Sequence, residues 1–287
     1  TITASQPASI NGIYPAGVAT TLLEVVNIVT GVNGITIQYV GDPGFVPASS
    51  PLFVQSNPRG TGLEWFAVVK DGMRQAITNY AMGLPGSSIP FTPPEQTLPV
   101  PFNNIVTTLM TNMAVLFDGF TTFNENIASW DTSRVTSMAA MFRNASAFNR
   151  PIGNWNTVRV IIMSEMFSGA TAFNQGIGNW NTLPVTNMNF MFQRATNFNQ
   201  DIGWWNTSNV TDMNFMFLNA TSFNSPISWN TSAVTSMAAM FMRATSFNQS
   251  LNLDTQRVTN MNAMFQGATS FRGFGNIGEW NTRQVTS

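Results

Sequence analysis

From about residue 111 to the end of the chain, apolar and polar residues recur in one fixed order. In one copy, Val135, Met138, Met141, Phe142 and Ala145 are separated by one or three positions. This spacing places the five side chains on one face of a helix or of successive 3₁₀ turns. A Phe-Asn pair, two polar residues and Ile follow, and then come Trp, Asn or Asp, and Thr. Each copy is therefore predicted to form a short helix, a short strand and a tight return.

The copies follow one another at a period of 25 residues, which shortens to 24 in two places. A fixed period of this length is typical of solenoids, in which each unit buries its apolar side against the next unit. The predicted fold class is therefore α/β, a solenoid of about seven coils of 24–27 residues with a short helix and a short strand in each coil.

Two series of side chains are predicted to hold the coils together. The tryptophan position, which Leu253 takes in the sixth coil, is predicted to lie in the core, as are the Met and Phe positions. Its members are Trp130, Trp155, Trp180, Trp205, Trp229 and Trp280. The Asn of the Phe-Asn pair is predicted to form an internal ladder along the stack. Its members are Asn124, Asn149, Asn174, Asn199, Asn224 and Asn248. Arg272 takes this place in the seventh coil, where the ladder is predicted to end or fray. The Thr before most helical segments, such as Thr136, is predicted to cap its first amides; Ile161 takes this place in one unit.

Residues 1–83 follow a different pattern, which predicts a small β-rich N-terminal domain. The β-prone runs Thr21–Thr30 and Ile35–Val40 flank an Asn-Gly pair and predict a hairpin. Leu63–Lys70 predicts a further strand. After an Asp-Gly pair, Met73–Tyr80 is compatible with either a second hairpin strand or a short helix.

Residues 84–110 are predicted to be a connector and the entry to the solenoid. Six prolines lie in this segment. Because proline fixes φ and removes a backbone donor, an extended, semi-rigid linker is expected. The alternative is a polyproline ligand for an aromatic groove. The solenoid then occupies residues 111–287.

Composition narrows the classes of function. The chain has no Cys and no His, which removes disulfides, thiolate metal sites and the commonest general base. Charged residues make up 9% and the net charge is −1. Binding to nucleic acid or to an anionic membrane needs clustered positive charge, so neither partner is expected. No apolar run approaches the ~18–20 residues of a transmembrane helix. No cofactor and no metal site are predicted.

Carboxylates are scattered and are not expected to form a catalytic pair. Asp131 and Asp254 stand where other copies have Asn, so they are predicted to cap turns. Asp201 and Asp212 are single-copy variants at exposed positions. The chain also contains Asn-x-Ser/Thr sequons, which are glycosylation acceptors if a eukaryotic host secretes the protein. They begin at Asn144, Asn206, Asn209, Asn219, Asn230 and Asn248. Chance in an Asn- and Thr-rich repeat is the stronger explanation for them, and Asn248, in the ladder, is the least expected acceptor.

The repeated phrase is V-T-x-M-x-x-M-F-x-x-A-x-x-F-N-x-x-I-x-x-W-[ND]-T, and its clearest copy is Val185–Thr207. It resembles the BspA-like leucine-rich-repeat family of surface proteins, over about residues 111–287. Such repeats occur in bacterial surface proteins and lipoproteins, and related copies occur in protists and large DNA viruses. The resemblance implies a leucine-rich-repeat-like solenoid and a surface, adhesive or structural role. It implies no catalytic residues.

The function expected from these observations is that of a non-enzymatic protein at a cell surface or in the extracellular space. Its extended repeat face would contact protein or glycan. The alternative is a structural component of an assembly such as a virion coat or extracellular filament, with the N-terminal domain docking, the repeats projecting and neighbouring subunits as partners. This alternative is suggested by Val285–Ser287, which begin an eighth copy. The apolar end of the solenoid is expected to be covered by further chain or by a neighbouring subunit. A carbohydrate-active enzyme is the third hypothesis, and it requires two carboxylates roughly 5–10 Å apart in one cleft.

Overall fold

The computed structural model describes residues 28–286. The predicted hairpin is present, because β1 (Ile28–Thr30) pairs antiparallel with β2 (Ile37–Tyr39). In the loop between them, the side-chain oxygen of Asn33 accepts hydrogen bonds from two backbone N–H groups, at 3.0 and 2.9 Å. The hairpin prediction is thus confirmed for its described part, while residues 21–27 of the predicted first strand lie outside the described residues.

A second sheet has three strands in the order β3 (Leu52–Ser56), β4 (Glu64–Lys70) and β5 (Ile105–Leu109). β3 and β4 run antiparallel, whereas β4 and β5 run parallel. β4 reads as an unbroken apolar run because both of its faces are covered: alternate side chains enter two different hydrophobic clusters. The strand pattern predicted β4 but neither β3 nor β5.

The segment after β4 is helical, which settles the alternative left open for Met73–Tyr80. A 3₁₀ turn (Asp71–Met73) ends the strand and leads into α1 (Arg74–Ala81). Met73 and Ile77, four residues apart on one helical face, are both buried in the main core. Helical spacing therefore buries these side chains.

The proline-rich segment differs from the predicted extended connector, because it is folded onto α1. The ring of Tyr80 is stacked between Phe91 and Phe102, with ring centroids 5.2 and 4.6 Å apart. The Tyr80 hydroxyl donates to the Val100 carbonyl oxygen at 3.0 Å. Proline excludes this segment from helix and central strand. It does not prevent the apolar residues between the prolines from being buried.

Successive repeat units lie side by side and are joined by backbone hydrogen bonds. In the first pair of units, Met113, Val115 and Phe117 donate to carbonyl oxygens of the next unit, each at 2.9 Å. Isolated parallel bridges mark the same register from unit to unit. They connect Asn112, Ser137, Ile162, Asn187, Asp212, Ser236 and Asn260 in sequence. We call residues 111–286 the repeat stack.

Within the repeat stack, the segments predicted as short helices are successive turns. No helix lies between Met113 and Met264 in the described chain. Two residues of each unit instead adopt left-handed backbone conformations, for example Ala140 with φ 52° and Asn144 with φ 57°. Alternate amide groups bond within the unit and to the next unit. Continuous i to i+4 bonding is therefore impossible, although the apolar spacing resembles that of a helix. The Phe-Asn segments predicted as short strands form no strand in the described chain, where Leu251–Gly275 is their one isolated bridge; the other bridges lie just after the Thr position.

The predicted cap at the Thr position is also absent. The Thr136 hydroxyl donates to the Thr111 carbonyl oxygen of the preceding unit at 3.2 Å. The side chain one residue after the Thr position accepts the first amide instead, as Asp212 does from Asn214 at 2.9 Å. The Thr hydroxyl thus joins two units.

The hydrogen-bond register of the repeat stack begins before the predicted boundary at residue 111. Trp130 donates its indole N–H to the Phe102 carbonyl oxygen at 2.9 Å, and Trp155 donates in the same way to Ile127, 25 residues later. The Thr107 hydroxyl in β5 donates to the Asp131 carbonyl oxygen at 3.0 Å. Residues 102–107 thus act as a partial unit that covers one end of the stack, and the two parts of the chain share one core.

Candidate functional site

The predicted asparagine ladder lies along an edge of the repeat stack. Each side-chain oxygen accepts the backbone N–H of the corresponding residue in the next unit. These distances run from 2.8 to 3.0 Å through Asn124, Asn149, Asn174, Asn199, Asn224 and Asn248 to the Arg272 amide. The side chains are partly exposed rather than internal as predicted. Arg272 still donates its N–H, but it has no side-chain oxygen to continue the series. These asparagines therefore join each unit to the next by a hydrogen bond.

Removing one oxygen of this ladder tests its contribution. Asn174 accepts from the Asn199 amide and from the Gln200 side chain, both at 2.9 Å. Asn174→Ala is expected to lower the free energy of unfolding by about 0.5–1.5 kcal/mol in urea titrations. Asn174→Asp keeps an acceptor and is expected to lose less. Equal losses in the two variants would show that the side-chain oxygen is not what stabilises this edge.

The tryptophans have a parallel arrangement inside the stack. Their indole N–H groups donate to the carbonyl of the preceding unit at 2.9–3.2 Å, and the side chains are buried at Trp130, Trp155, Trp180, Trp205 and Trp229. Trp280 is only partly buried and donates to the Asn276 side chain at 2.9 Å. Leu253, in the same series, has no such donor. The repeated Trp, Asn and Thr side chains are therefore committed to joining units.

Acidic residues at variable positions cap turns. Asp131 and Asp254 each accept the backbone N–H two residues ahead, at 3.0 Å, which confirms their predicted capping role. Asp201 does the same for Gly203 at 3.0 Å. Within residues 28–286, no group of three or more acidic side chains lies close enough to hold a metal ion.

One outer surface, which we call the bridge face, carries side chains that vary between units. It comprises the side chains exposed between the parallel bridge and the second left-handed residue of each unit, from Asn112–Gly119 in the first to Asn260–Gly267 in the seventh. The first left-handed position is never glycine and carries side chains from alanine to phenylalanine. Its members are Val115, Ala140, Glu165, Phe190, Phe215, Ala239 and Ala263.

Two adjacent units place phenylalanines at this position. The rings of Phe190 and Phe215 are stacked, with centroids 4.5 Å apart and planes inclined by 11°. Both residues are partly exposed and have φ near 56° (55° and 57°). A left-handed conformation costs an L-residue about 1–2 kcal/mol and is unusual for a bulky side chain. This aromatic pair is therefore a bulky surface feature held in a strained conformation.

A polar depression of about 520 Å³ lies next to the aromatic pair on the bridge face. Its lining includes the second left-handed position of four consecutive units, namely Gly119, Asn144, Gly169 and Arg194. Gly169 has no side chain, and the Asn144 side chain lies against it.

One wall of the depression is an ion-pair network centred on Arg143. Its Nε and one terminal nitrogen donate to the two oxygens of Asp118, at 2.9 and 2.5 Å, and its other terminal nitrogen donates to Glu165 at 2.8 Å. Hydrogen bonds from Arg143 to Asp118, and then to Glu165, raise the pKa of the guanidinium above its usual value. The network therefore holds three side chains from three units in fixed positions.

The opposite wall carries polar groups without protein partners. The Gln193 oxygen accepts from the Ser168 hydroxyl at 3.0 Å, but in the described chain its side-chain nitrogen makes no hydrogen bond. Across residues 28–286, the Arg194 guanidinium forms neither a hydrogen bond nor an ion pair. The depression thus offers a free amide donor and a free cation. Sequence reasoning missed this site because its residues come from four units and belong to no repeated motif.

Other surfaces carry isolated features. Trp204, predicted to be an extra ring outside the core, is 86% exposed. A second depression, of about 590 Å³, lies between α1, the proline-rich segment and the first unit, and Tyr80, Leu98 and Glu125 contribute to its lining. Burial, and secondarily Glu125, raises the pKa of the Tyr80 hydroxyl. No helix in the described part of the chain is long and apolar enough to cross a membrane.

The comparisons with known proteins concern the repeat region. The model of a family described as Mycoplasma protein of unknown function, DUF285, matches residues 95–204, 151–252, 173–273 and 227–287. The matches together span residues 95–287, which is more than half of the chain. They begin before residue 102, where the hydrogen-bond register of the stack starts. No curated protein and no solved structure matches the chain.

Proposed function

This chain belongs to the DUF285 family, and on that premise we propose that it is a non-enzymatic recognition protein of a cell surface or the extracellular space. Its working surface is the bridge face of a leucine-rich-repeat-like solenoid of the BspA-like type. The stacked units, their parallel bridges and their shared core support the solenoid description. The solenoid presents the varied side chains of several units on one surface.

The observation that carries this proposal is that repeated and varied side chains of each unit have different environments. Side chains that repeat in nearly every unit are buried or bonded to the neighbouring unit, such as Trp180, Thr182 and Asn174. Side chains that change from unit to unit lie on the surface, and many of them are on the bridge face. A surface that is free of packing constraints and is built on rigid units is suited to recognition.

An attachment assay tests the proposal. Cells or particles that display the wild-type chain are compared with those that display the Phe190→Ala/Phe215→Ala chain. Alanine occupies the same left-handed position at Ala140 and Ala239, so folding is expected to be preserved. We expect lower attachment at equal antibody-detected display. Unchanged attachment would remove the bridge face from the proposal.

A structural role in a larger assembly is the second candidate. It is favoured by exposed aliphatic side chains in two adjacent units: Val158 and Ile161 in one turn region and Leu183 in the next are 45–46% exposed. An apolar patch of this kind is typical of contacts between subunits. Electron cryomicroscopy of the source particles separates the two roles. Regular contacts between copies through Leu183 would favour the assembly, and singly projecting copies would favour recognition.

The carbohydrate-active enzyme hypothesis also gains one observation. Asp118 and Glu165 bond the same guanidinium in one depression, which brings them roughly within the 5–10 Å separation that glycosidases use. However, both oxygens of Asp118 are bonded to Arg143, so neither is free of the ion pair to serve a substrate. We therefore place recognition ahead of hydrolysis. Release of reducing ends from oligosaccharides by the wild type, and not by Glu165→Gln, would reverse that order.

A further inference from the structure

We propose that the polar depression and the aromatic pair of the bridge face together form a binding site for an uncharged, hexose-based oligosaccharide. This inference rests on the proposed function, because it names the ligand class of the same surface. The site comprises Phe190 and Phe215 as a platform and Glu165, Gln193 and Arg194 as polar contacts.

The position of the platform beside the depression is the first argument. The Gln193 N–H donates to the Phe190 carbonyl oxygen at 3.1 Å, so one tight turn joins the aromatic residue to the lining of the depression. The two rings stack along the series of units, and one face of Phe190 is directed toward the unit that contains Glu165. Glu165 bonds Arg143 in the unit beyond, so its carboxylate is drawn away from that ring face.

The chemistry of the free groups is the second argument. A pyranose has an apolar C–H face and an equatorial rim of hydroxyl groups. The partly exposed ring of Phe190 matches the C–H face. The free amide nitrogen of Gln193, the guanidinium of Arg194 and the unbonded oxygen of Glu165 supply donors and an acceptor for hydroxyl groups.

The charge of the site selects an uncharged ligand. The charged lining side chains are Asp118 and Glu165, which are acidic, and Arg143 and Arg194, which are basic. These charges sum to zero, and three of the four are already paired. A sulfated or carboxylated sugar would be repelled by Asp118 and Glu165 as well as attracted by the Arg194 guanidinium. A neutral sugar has no charge for either group to act on.

The strain at the platform is the third argument. Phe190 and Phe215 occupy left-handed positions at which three other units have alanine and the remaining two have Val115 and Glu165. Packing does not require these rings, because they lie outside the buried core. A bulky residue retained in a strained conformation on a surface points to function rather than to folding.

The test is isothermal titration calorimetry of the full chain with four neutral hexaoses: cellohexaose, laminarihexaose, maltohexaose and mannohexaose. Sulfated and sialylated oligosaccharides form the charged arm. We expect saturable binding of at least one neutral hexaose, with an affinity that is nearly unchanged between low and high salt because the ligand carries no charge.

Three variants locate the site. Phe190→Ala is expected to weaken binding about tenfold or more through loss of ring stacking. Arg194→Gly is expected to weaken it about three- to tenfold without lowering Tm, because glycine occupies this left-handed position in other units, as at Gly169. Trp204→Ala removes an exposed aromatic ring that lies outside the bridge face and is expected to leave the affinity unchanged.

Several outcomes would overturn the proposal. They are no saturable binding of any neutral hexaose, binding of the charged sugars alone, or equal affinities for wild type and Phe190→Ala. Treating the target surface with periodate or with protease then distinguishes failure of the oligosaccharide proposal from failure of bridge-face recognition. One result would be attachment that depends on Phe190, survives periodate treatment of the target and is lost after protease treatment. That result would keep the bridge face as the recognition surface and assign it a protein ligand. Attachment that is independent of Phe190 would overturn both.

Discussion

Replacing Phe192 by alanine is expected to lower the free energy of unfolding by about 3–5 kcal/mol. The Phe192 ring is fully buried and stacks on Phe198 in its own unit, with centroids 4.0 Å apart. It also stacks on Phe167 and Phe217 of the adjacent units, at 5.7 and 5.6 Å. Truncation removes contacts with three units at once, and the neighbouring backbones cannot close the cavity because they are bonded to one another.

Urea unfolding followed by tryptophan fluorescence measures this loss, and Phe190→Ala is the matched control. Phe190 precedes Phe192 by two residues but is partly exposed on the bridge face. Alanine takes its position in other units, for example at Ala140 and Ala239. The control is expected to change stability by about 1 kcal/mol or less. Comparable losses in the two variants would contradict the assignment of Phe192 to the core and of Phe190 to the surface.

The second large effect is expected from Thr182→Val, which should destabilise the chain by about 1–2 kcal/mol. The Thr182 hydroxyl is buried and donates to the Asn206 carbonyl oxygen of the next unit at 2.9 Å. Valine has nearly the same shape, so the core stays filled. The Asn206 carbonyl, however, loses its hydrogen-bond partner, because valine has no hydroxyl to donate.

Thr186→Val separates this hydrogen bond from a general effect of the substitution. Thr186 lies four residues further along the same unit and is exposed, and Ile161 takes its position one unit earlier. We expect a change within about 0.5 kcal/mol, as for ordinary surface substitutions. Thermal and urea unfolding of both variants decide the matter. A loss at residue 182 no larger than at residue 186 would show that the buried hydroxyl bond does not join the units.

The contrast between these residue pairs also shows how far sequence reasoning extends. The period predicts that the Phe192 and Thr182 positions recur, and the structure places the former in the core and the latter on the neighbouring backbone. The same pattern predicts a helix at Val185–Ala195, where the structure has turns with left-handed residues. Apolar spacing of three and four residues is common to both conformations. The choice between them depends on hydrogen bonds to the next unit, which the spacing does not contain.

The candidate site was beyond sequence reasoning for a related reason. Asp118, Arg143, Glu165 and Arg194 come from four units, and none of them belongs to the repeated phrase. A signal was present for the start of the stack, since Phe102 and Thr107 precede Ile127 and Thr132 by one period. It was obscured by the surrounding prolines.

By itself, the sequence determined the period of the chain and which positions of each unit are apolar enough to need burial. These are properties of composition and spacing, and they hold whatever path the backbone takes between those positions. The tertiary structure alone decided that each unit is built of turns, that the asparagines lie along an edge, and that the proline-rich segment covers the first unit. It also brought the aromatic pair beside the polar depression. These features arise from hydrogen bonds and contacts between residues about one period apart or more, so they exist only once the units are stacked.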